Sequence, residues 1–217
     1  TVLVIVVGRF CMGYDVIIIG SGSAGATLAT RLSEDTKRSV LLLEAGSDYQ
    51  NIDSLPADIK NGKDVLQAIE GDSIWKYTAT SSKTQRQPMS IPRGKVIGGS
   101  SSVNGTVFIR GIPEDYNYWA SEGNDEWSFV KVLPYFNKLE TDLDFGGDFH
   151  GTNGPIPVFR FKESDWHPSM RAFYNAARSL GHPHEEDMNH PETSGVGPRP
   201  LNNTSGIRMS TAITHLN

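Results

Sequence analysis

The chain has 217 residues, a formal net charge of −5, 37% hydrophobic and 21% charged residues, and one cysteine. That length holds one large domain, or one domain and part of another, and the acidic balance argues against nucleic acid or an anionic membrane as the main partner. Cys11, standing alone, excludes an internal disulfide framework, a thiolate zinc site and a CxxC redox centre, and it fits a reducing, cytoplasmic setting. No apolar stretch reaches the roughly 18–20 residues that a membrane span needs.

Residues 1–11 read as an upstream or non-native leader. Met12 is the expected natural start, because Gly13-Tyr14-Asp15-Val16 opens the first strand of a nucleotide-binding unit. Tyr14 to Ile19, bounded by glycine and β-branched from Val16 onward, reads as a parallel strand buried on both faces. Ala24, Leu28 and Leu32 then recur every four residues and predict an amphipathic helix to about Ser33. Ser39 to Glu44 supplies a second buried strand and closes a βαβ unit. From Ala45 to Pro92 the pattern weakens into loops and small helices, with an isolated strand at Trp75 to Thr80.

Pro113 starts a helix with Glu114 and Asp115 in its first turn, and Gly123 ends it. Ser128 caps a second helix with Phe129, Val132, Leu133, Phe136 and Leu139 on one face, kinked or broken at Pro134. A glycine-rich loop leads to Pro155 to Phe159. A helix from Ser169 to Leu180 then places Met170, Phe173, Ala177 and Leu180 inward and stops at Gly181. Residues 182–208 read as mostly loop. A soft boundary near Gly154 separates a cofactor domain (12–154) from the beginning of a substrate-side region (155–217).

The chemistry lies in two glycine runs. In Gly20-Ser21-Gly22-Ser23-Ala24-Gly25, Gly20 permits the tight strand-to-helix turn, Gly22 lets backbone approach a pyrophosphate, and Gly25 lets helix pack on strand. The helix N-terminus offers free N–H groups and a positive dipole to the phosphates. Glu44, about 20 residues downstream, can accept hydrogen bonds from ribose hydroxyls and would repel a 2′-phosphate. The fingerprint alone does not separate FAD from NAD. The second run, Pro92-Arg93-Gly94-Lys95-Val96-Ile97-Gly98-Gly99-Ser100-Ser101-Ser102-Val103-Asn104-Gly105, leaves main chain bare enough to lie against a flat ring system.

The second run continues into Phe108-Ile109-Arg110-Gly111 and Asp115-Tyr116-Asn117, and the ordered series resembles the first signature of the glucose-methanol-choline (GMC) family of FAD-dependent oxidoreductases. Tyr118-Trp119-Ala120, Trp127-Ser128, Pro134-Tyr135-Phe136, His150-Gly151-Thr152-Asn153-Gly154-Pro155 and Asn202 to Ser210 are similar to family sequence too. The resemblance, choline dehydrogenase-like, covers nearly the whole chain after Met12. It implies an α/β fold: a Rossmann-like FAD-binding domain with the beginning of an α+β substrate domain.

The resemblance further implies non-covalent FAD, because Ile91 stands where some members carry a flavin-tethering histidine. The implied cofactor contacts are Gly20, Ser21, Gly22, Ser23, Ala24, Gly25, Glu44, Ala45, Arg93, Val96, Gly98, Gly99, Ser100, Asn104, Gly105, Thr106 and Val107, with the isoalloxazine near Asn104 to Val107. The implied reaction is oxidation of an alcohol, polyol, sugar or amino-alcohol by hydride transfer to flavin N5, with O₂ or a quinone-type acceptor. The family's catalytic base corresponds to no position here and is expected beyond Asn217. The rival expectations are an FAD-containing lyase or photodecarboxylase on the same scaffold, or a truncated, non-catalytic FAD-binding fragment. No metal is expected: His182, His184 and His190 crowd an acidic loop, but Pro183 and Pro191 mark it as irregular surface. His150 reads as a turn residue, and Trp119 and Trp127 as core.

Overall fold

Four consecutive β-branched residues, Val16–Ile19, make the strand on which the first part of the molecule is assembled. The computed structural model describes residues 3–6, 13–49 and 51–216. Its packing divides the chain into two units, Thr1–Thr106 with Ser205–Asn217, and Val107–Thr204. That division falls at Thr106 and Val107, away from the Gly154 turn, and the last residues return to the first unit.

In the first unit, β1 (Leu3–Val6) pairs antiparallel with β2 (Val16–Ile19), so part of the segment expected to be a leader lies along the sheet. The expected start at Met12 lies outside the described residues. Helix α1 (Ser23–Ser33) carries the chain to β3 (Val40–Leu43), which pairs parallel with β2, giving the expected βαβ unit. The buried stripe of α1 is Gly25, Ala26 and Ala29, while Ala24 is exposed. Small residues bring the helix axis close to the sheet, and Leu28 and Leu32 pack around Val16, Ile18 and Ala29. The strands were expected to be buried on both faces. Only the α1 face is covered, for Ile19 is 43% and Leu43 44% exposed.

Two short helices follow, α2 (Ala57–Lys60) and α3 (Val65–Glu70), the second capped by the Asp64 carboxylate accepting from the N–H groups of Leu66 and Gln67. The strand expected near Trp75 is β4 (Ile74–Ala79). It is not isolated: β5 (Met89–Gly94) pairs antiparallel with it along its whole length. Pro92, Arg93 and Gly94 of the second glycine run therefore belong to a hairpin strand.

The second unit begins with α4 (Pro113–Ser121) and α5 (Phe129–Leu139). Gly123 ends the first of these helices at φ 94°. Ser128 sits at the start of α5 without a side-chain cap; the Asn117 carboxamide oxygen accepts the Phe129 N–H instead. Helix α5 runs unbroken through Pro134 and buries Phe129 and Val132. Two short parallel strands, β6 (Glu140–Asp142) and β7 (Ile156–Val158), flank the His150–Pro155 segment. Helix α6 (Pro168–Ser179) differs from expectation, because Met170, Phe173 and Leu180 face solvent. Strand β8 (Asn203–Thr204) closes this unit. Back in the first unit, β9 (Ile207–Arg208) and α7 (Thr211–His215) follow, and the Thr30 hydroxyl of α1 donates to the His215 carbonyl.

A buried charge cluster organises the second unit. Arg110 donates to Glu140, and the two Nη atoms of Arg160 donate to Asp142 and Asp187. His150 lies between them: Nδ1 is 3.1 Å from both Glu140 and Asp142, and Nε2 is 2.7 Å from Asp187. Burial works against a charged imidazole, but hydrogen bonds to Asp142, Asp187 and Glu140 outweigh it and raise the His150 pKa to about 10. Burial likewise pushes Asp142 up, yet His150, the Asp144 N–H and Arg160 together hold it down to about 2. Around this cluster the glycines are forced. A Cβ on Gly151 would meet the Asn137 carbonyl oxygen at 1.8 Å, and one on Gly154 would meet the Glu140 nitrogen at 2.4 Å.

Two outcomes follow for stability. Gly151→Ala should lower it by about 2–3 kcal/mol through overpacking, whereas Gly146→Ala, whose Cβ would meet only the Thr152 methyl at 3.8 Å, should lose less; urea midpoints of the two variants test this order. Because the folded pKa of His150 exceeds its ordinary 6.5, its contribution is complete below that pH and fades as pH rises towards 10. The Asp142 contribution is complete above its ordinary 3.8 and fades as pH falls towards 2. Urea titrations from pH 3 to pH 10.5 should therefore place maximal stability between about pH 4 and 6.5. His150→Gln should flatten the alkaline limb and cost about 3 kcal/mol at pH 6 by leaving buried carboxylates short of a cation. A variant with an unchanged alkaline limb would show that His150 is not the titrating group.

Candidate dinucleotide site and family membership

At the end of β2 the chain turns sharply through Gly20, at φ 95°, a conformation that glycine adopts without steric penalty. Gly22 precedes α1 and supplies no side-chain cap, and the first turn of the helix holds no acidic residue. Ser23 and Ala24 are exposed there. The opening N–H groups of an eleven-residue helix thus point out uncapped, which suits a diphosphate. Gly25 is obligatory, since a Cβ there would lie 1.8 Å from the Gly20 carbonyl oxygen.

Glu44 follows β3 and is already partly engaged. Its Oε2 accepts from the Ser21 N–H and hydroxyl, each at 2.9 Å, and its Oε1 accepts from the Gly46 N–H at 2.8 Å. Each carboxylate oxygen has two acceptor positions, so Oε1 retains one for a hydroxyl. The same bonds lock the fingerprint turn to the strand end, and Ala45 beside them is exposed.

The second glycine run lies against this turn. Gly98 (φ 86°) donates its N–H to the Ser21 carbonyl at 3.0 Å. A Cβ on Gly99 would sit 2.7 Å from the Gly22 Cα, and one on Gly94 would sit 2.2 Å from the Gly99 carbonyl oxygen. The bare main chain expected to face a ring system is, at Gly94, Gly98 and Gly99, packed on other parts of the protein. Val96 is buried; Ser47 bridges it and accepts the Ile97 N–H. Ser100 is exposed, its hydroxyl accepting the Gly94 N–H. Arg93 is exposed on β5 and donates to the Pro92 carbonyl. Asn104 folds its side-chain oxygen onto the Thr106 N–H, and Thr106 is buried at φ 58°. Gly105, between them, is exposed with nothing within 4 Å of a Cβ. Val107 opens the second unit, where it bridges Leu201.

The structure therefore gathers Gly20 to Gly25, Glu44, Ala45, Val96 and Gly98 to Ser100 around one turn. Three supports went unread in the sequence. Gly46 looked like an interruption, but a Cβ there would collide with the Lys95 carbonyl at 2.1 Å. Ser101 accepts the Thr211 N–H and binds α7 to the run. Arg208 is wholly buried and donates to the Asn104 carbonyl. A lone arginine between Ile207 and Met209 was the available signal.

Among the described residues, Glu140, Asp142 and His150 are close enough to share a metal ion. Arg110 and Arg160 already neutralise those carboxylates, and His150 is held protonated, so the donor set is that of an ion network. His150 is thereby buried ionic structure rather than a turn residue. His184 hydrogen-bonds Tyr174, and His190 accepts the Glu192 N–H. Trp119 and Trp127 pack edge to face yet are about half exposed, so they are not core.

Among the described residues no helix is long and apolar enough to cross a membrane. The chain is 41% identical to oxygen-dependent choline dehydrogenase of Chromohalobacter salexigens over 212 residues, 94% of this chain and 36% of that protein. It is 38% identical to mitochondrial choline dehydrogenase of Mus musculus, over 94% of this chain and 34% of that one. The solved structure of pyridoxine 4-oxidase from Mesorbium loti superposes with a TM-score of 0.83 at 34% identity, covering 93% of this chain and 38% of that one. The chain thus spans well under half the length of these relatives. The GMC oxidoreductase family matches residues 14–217, and together with the βαβ unit and the two interlocked glycine runs this shows that the chain belongs to the GMC oxidoreductases.

Proposed function

We propose that this chain is the FAD-binding part of a flavoenzyme that oxidises the CH–OH group of a small alcohol, polyol, sugar or amino-alcohol. The observation that carries the reading is the uncapped start of α1 with the second glycine run seated directly on it. Relatives named for choline and for pyridoxine, both hydroxyl-bearing compounds, support the substrate class. The names "oxygen-dependent" and "oxidase" among them favour O₂ as acceptor, with a quinone-type acceptor as the alternative. A cytoplasmic setting rests on the single cysteine.

In this reading the N–H groups from Gly22 to Gly25, with Ser23 and Ser100, bind the pyrophosphate. Glu44 accepts from the ribose through its remaining Oε1 position while holding Ser21 in place. Asn104, Gly105 and Thr106 orient the ring system, and the strained Thr106 backbone fixes the direction of its neighbours' N–H groups. When bound, FAD would supply a two-electron acceptor for the substrate's hydride. The base for the substrate hydroxyl is assigned to the part of the longer relatives that this chain does not span. Binding is non-covalent, Ile91 offering no nucleophile.

The test is to purify the natural polypeptide carrying this chain, denature it in acid, and treat the native protein anaerobically with choline and other primary alcohols. Yellow colour released to the supernatant as FAD, and bleaching by at least one alcohol, are expected. Colour remaining in the pellet overturns non-covalent binding. Flavin that stays oxidised with every alcohol overturns the reaction in favour of a lyase or photodecarboxylase, and protein that takes up no FAD overturns the reading. Gly99→Ala, by pushing on the Gly22 backbone, should weaken FAD binding about tenfold or more, some 1.4 kcal/mol.

A further inference from the structure

Arg208 is 1% exposed. Its Nε donates to the Asn104 carbonyl at 2.9 Å, and its Nη1 faces the carbonyls of Ser102 (3.1 Å), Asp58 (3.2 Å) and Ile59. These acceptors come from two places: the end of α2 and the stretch of the second glycine run that leads to Asn104. Its Nη2 is buried with no hydrogen-bond partner among the described residues. No carboxylate lies within ion-pairing distance of it among those residues either; Asp58 is the negative charge that acts on it, and only at longer range. Burial pulls its pKa down, with Asp58 opposing.

An interior cation solvated only by carbonyls is costlier to bury than a neutral donor. A glutamine or a serine could tether the Ser102 and Asn104 carbonyls without that cost. The contrast with the second unit is direct, because Arg110 and Arg160 each meet a carboxylate there. Arg208 pairs with no carboxylate among the described residues and touches the Asn104–Thr106 turn directly at the Asn104 carbonyl. A flavin gains negative charge on reduction, and a fixed cation in a low-dielectric interior favours the reduced form.

We infer that Arg208 is a positioning residue of the flavin site whose unneutralised charge both clamps the Asn104 turn and raises the reduction potential of the bound flavin; this rests on the FAD reading above. The clamp acts through the Ser102 and Asn104 carbonyls, and the potential is set through space. A merely structural arginine would hold the turn but would leave the potential insensitive to charge.

The experiment uses the natural polypeptide with its FAD, in wild type and in Arg208→Lys, Arg208→Gln and Asp58→Asn. FAD content is measured after denaturation, and the two-electron exchange constant with a redox dye is measured anaerobically. Arg208→Lys should stay within about threefold of wild type, and Arg208→Gln should shift the constant about tenfold towards oxidised flavin, roughly 30 mV for a two-electron couple. Asp58→Asn, which removes the opposing charge, should shift it the other way. Equal constants for Arg208→Lys and Arg208→Gln, or an Asp58→Asn constant that is unmoved or moves with Arg208→Gln, would overturn the inference. If Arg208→Gln does not fold, Asp58→Asn alone decides it by the same criterion. Wild type without FAD overturns the functional reading and this inference together, whereas FAD-replete wild type with charge-insensitive potentials overturns the inference alone.

Discussion

The first unit is arranged around a backbone-to-backbone contact between Gly22 and Gly99, which leaves no room for a side chain at Gly99, where a Cβ would lie 2.7 Å from the Gly22 Cα. Such contact is available only to glycine, and its effect is to remove the usual side-chain layer between a helix start and a neighbouring loop. With that layer gone, the Ser21 carbonyl can take the Gly98 N–H, and Glu44 can reach back to Ser21. The helix start is then held from three sides by the protein while its own N–H groups stay uncapped. A rigid yet unsatisfied donor cluster is what an anion site requires, because the donors pay no reorganisation when the ligand arrives.

The second unit solves its packing problem with charge. Glu140, Asp142 and Asp187 meet Arg110, Arg160 and protonated His150 in a nearly balanced set, all but sealed from solvent. Balance matters more than the count of pairs, since removing one member strands its partners in a low-dielectric interior. The cluster is also directional: both histidine nitrogens face carboxylates, each guanidinium donates to at least one, and Phe136 and Phe145 lie against the two guanidinium groups. A small apolar core is thereby replaced by a network that specifies one arrangement of β6, β7 and the His150–Pro155 segment. Gly151 and Gly154 are the glycines that let this segment lie on the end of α5.

Much of this was legible in the sequence because local rules govern it. Strand, glycine turn and helix from Val16 to Ser33 follow from β-branching and periodicity, and the family signature follows from the glycine spacing itself. What could not be read depends on contacts between distant segments. That Gly94 and Gly99 face protein rather than ligand, that β4 has a partner in β5, and that Arg208 reaches Asn104 are relations across long stretches of chain. His150 illustrates the same limit. Its glycine-rich neighbourhood reads as a turn, and only the folded positions of Glu140, Asp142 and Asp187 turn it into a buried cation.

Where sequence pattern and burial disagree, the pattern still carries information. Met170, Phe173 and Leu180 recur at helical spacing, yet these side chains are more than half exposed. Ile19 and Leu43, on the sheet face away from α1, show the same mismatch. A helix or strand with an apolar face normally buries it, and an exposed face of this kind marks a contact surface, whether for protein, membrane or ligand. The relatives that match this chain are between two and three times its length. The uncovered faces lie on elements whose local sequence already anticipates cover, whereas the glycine contact at α1 and the charge cluster at His150 are complete within the described residues. The glycine contact and the ion network are thus both built from this chain's own described residues. Burial of α6 and of the outer sheet face is a demand that its sequence states and these residues do not meet.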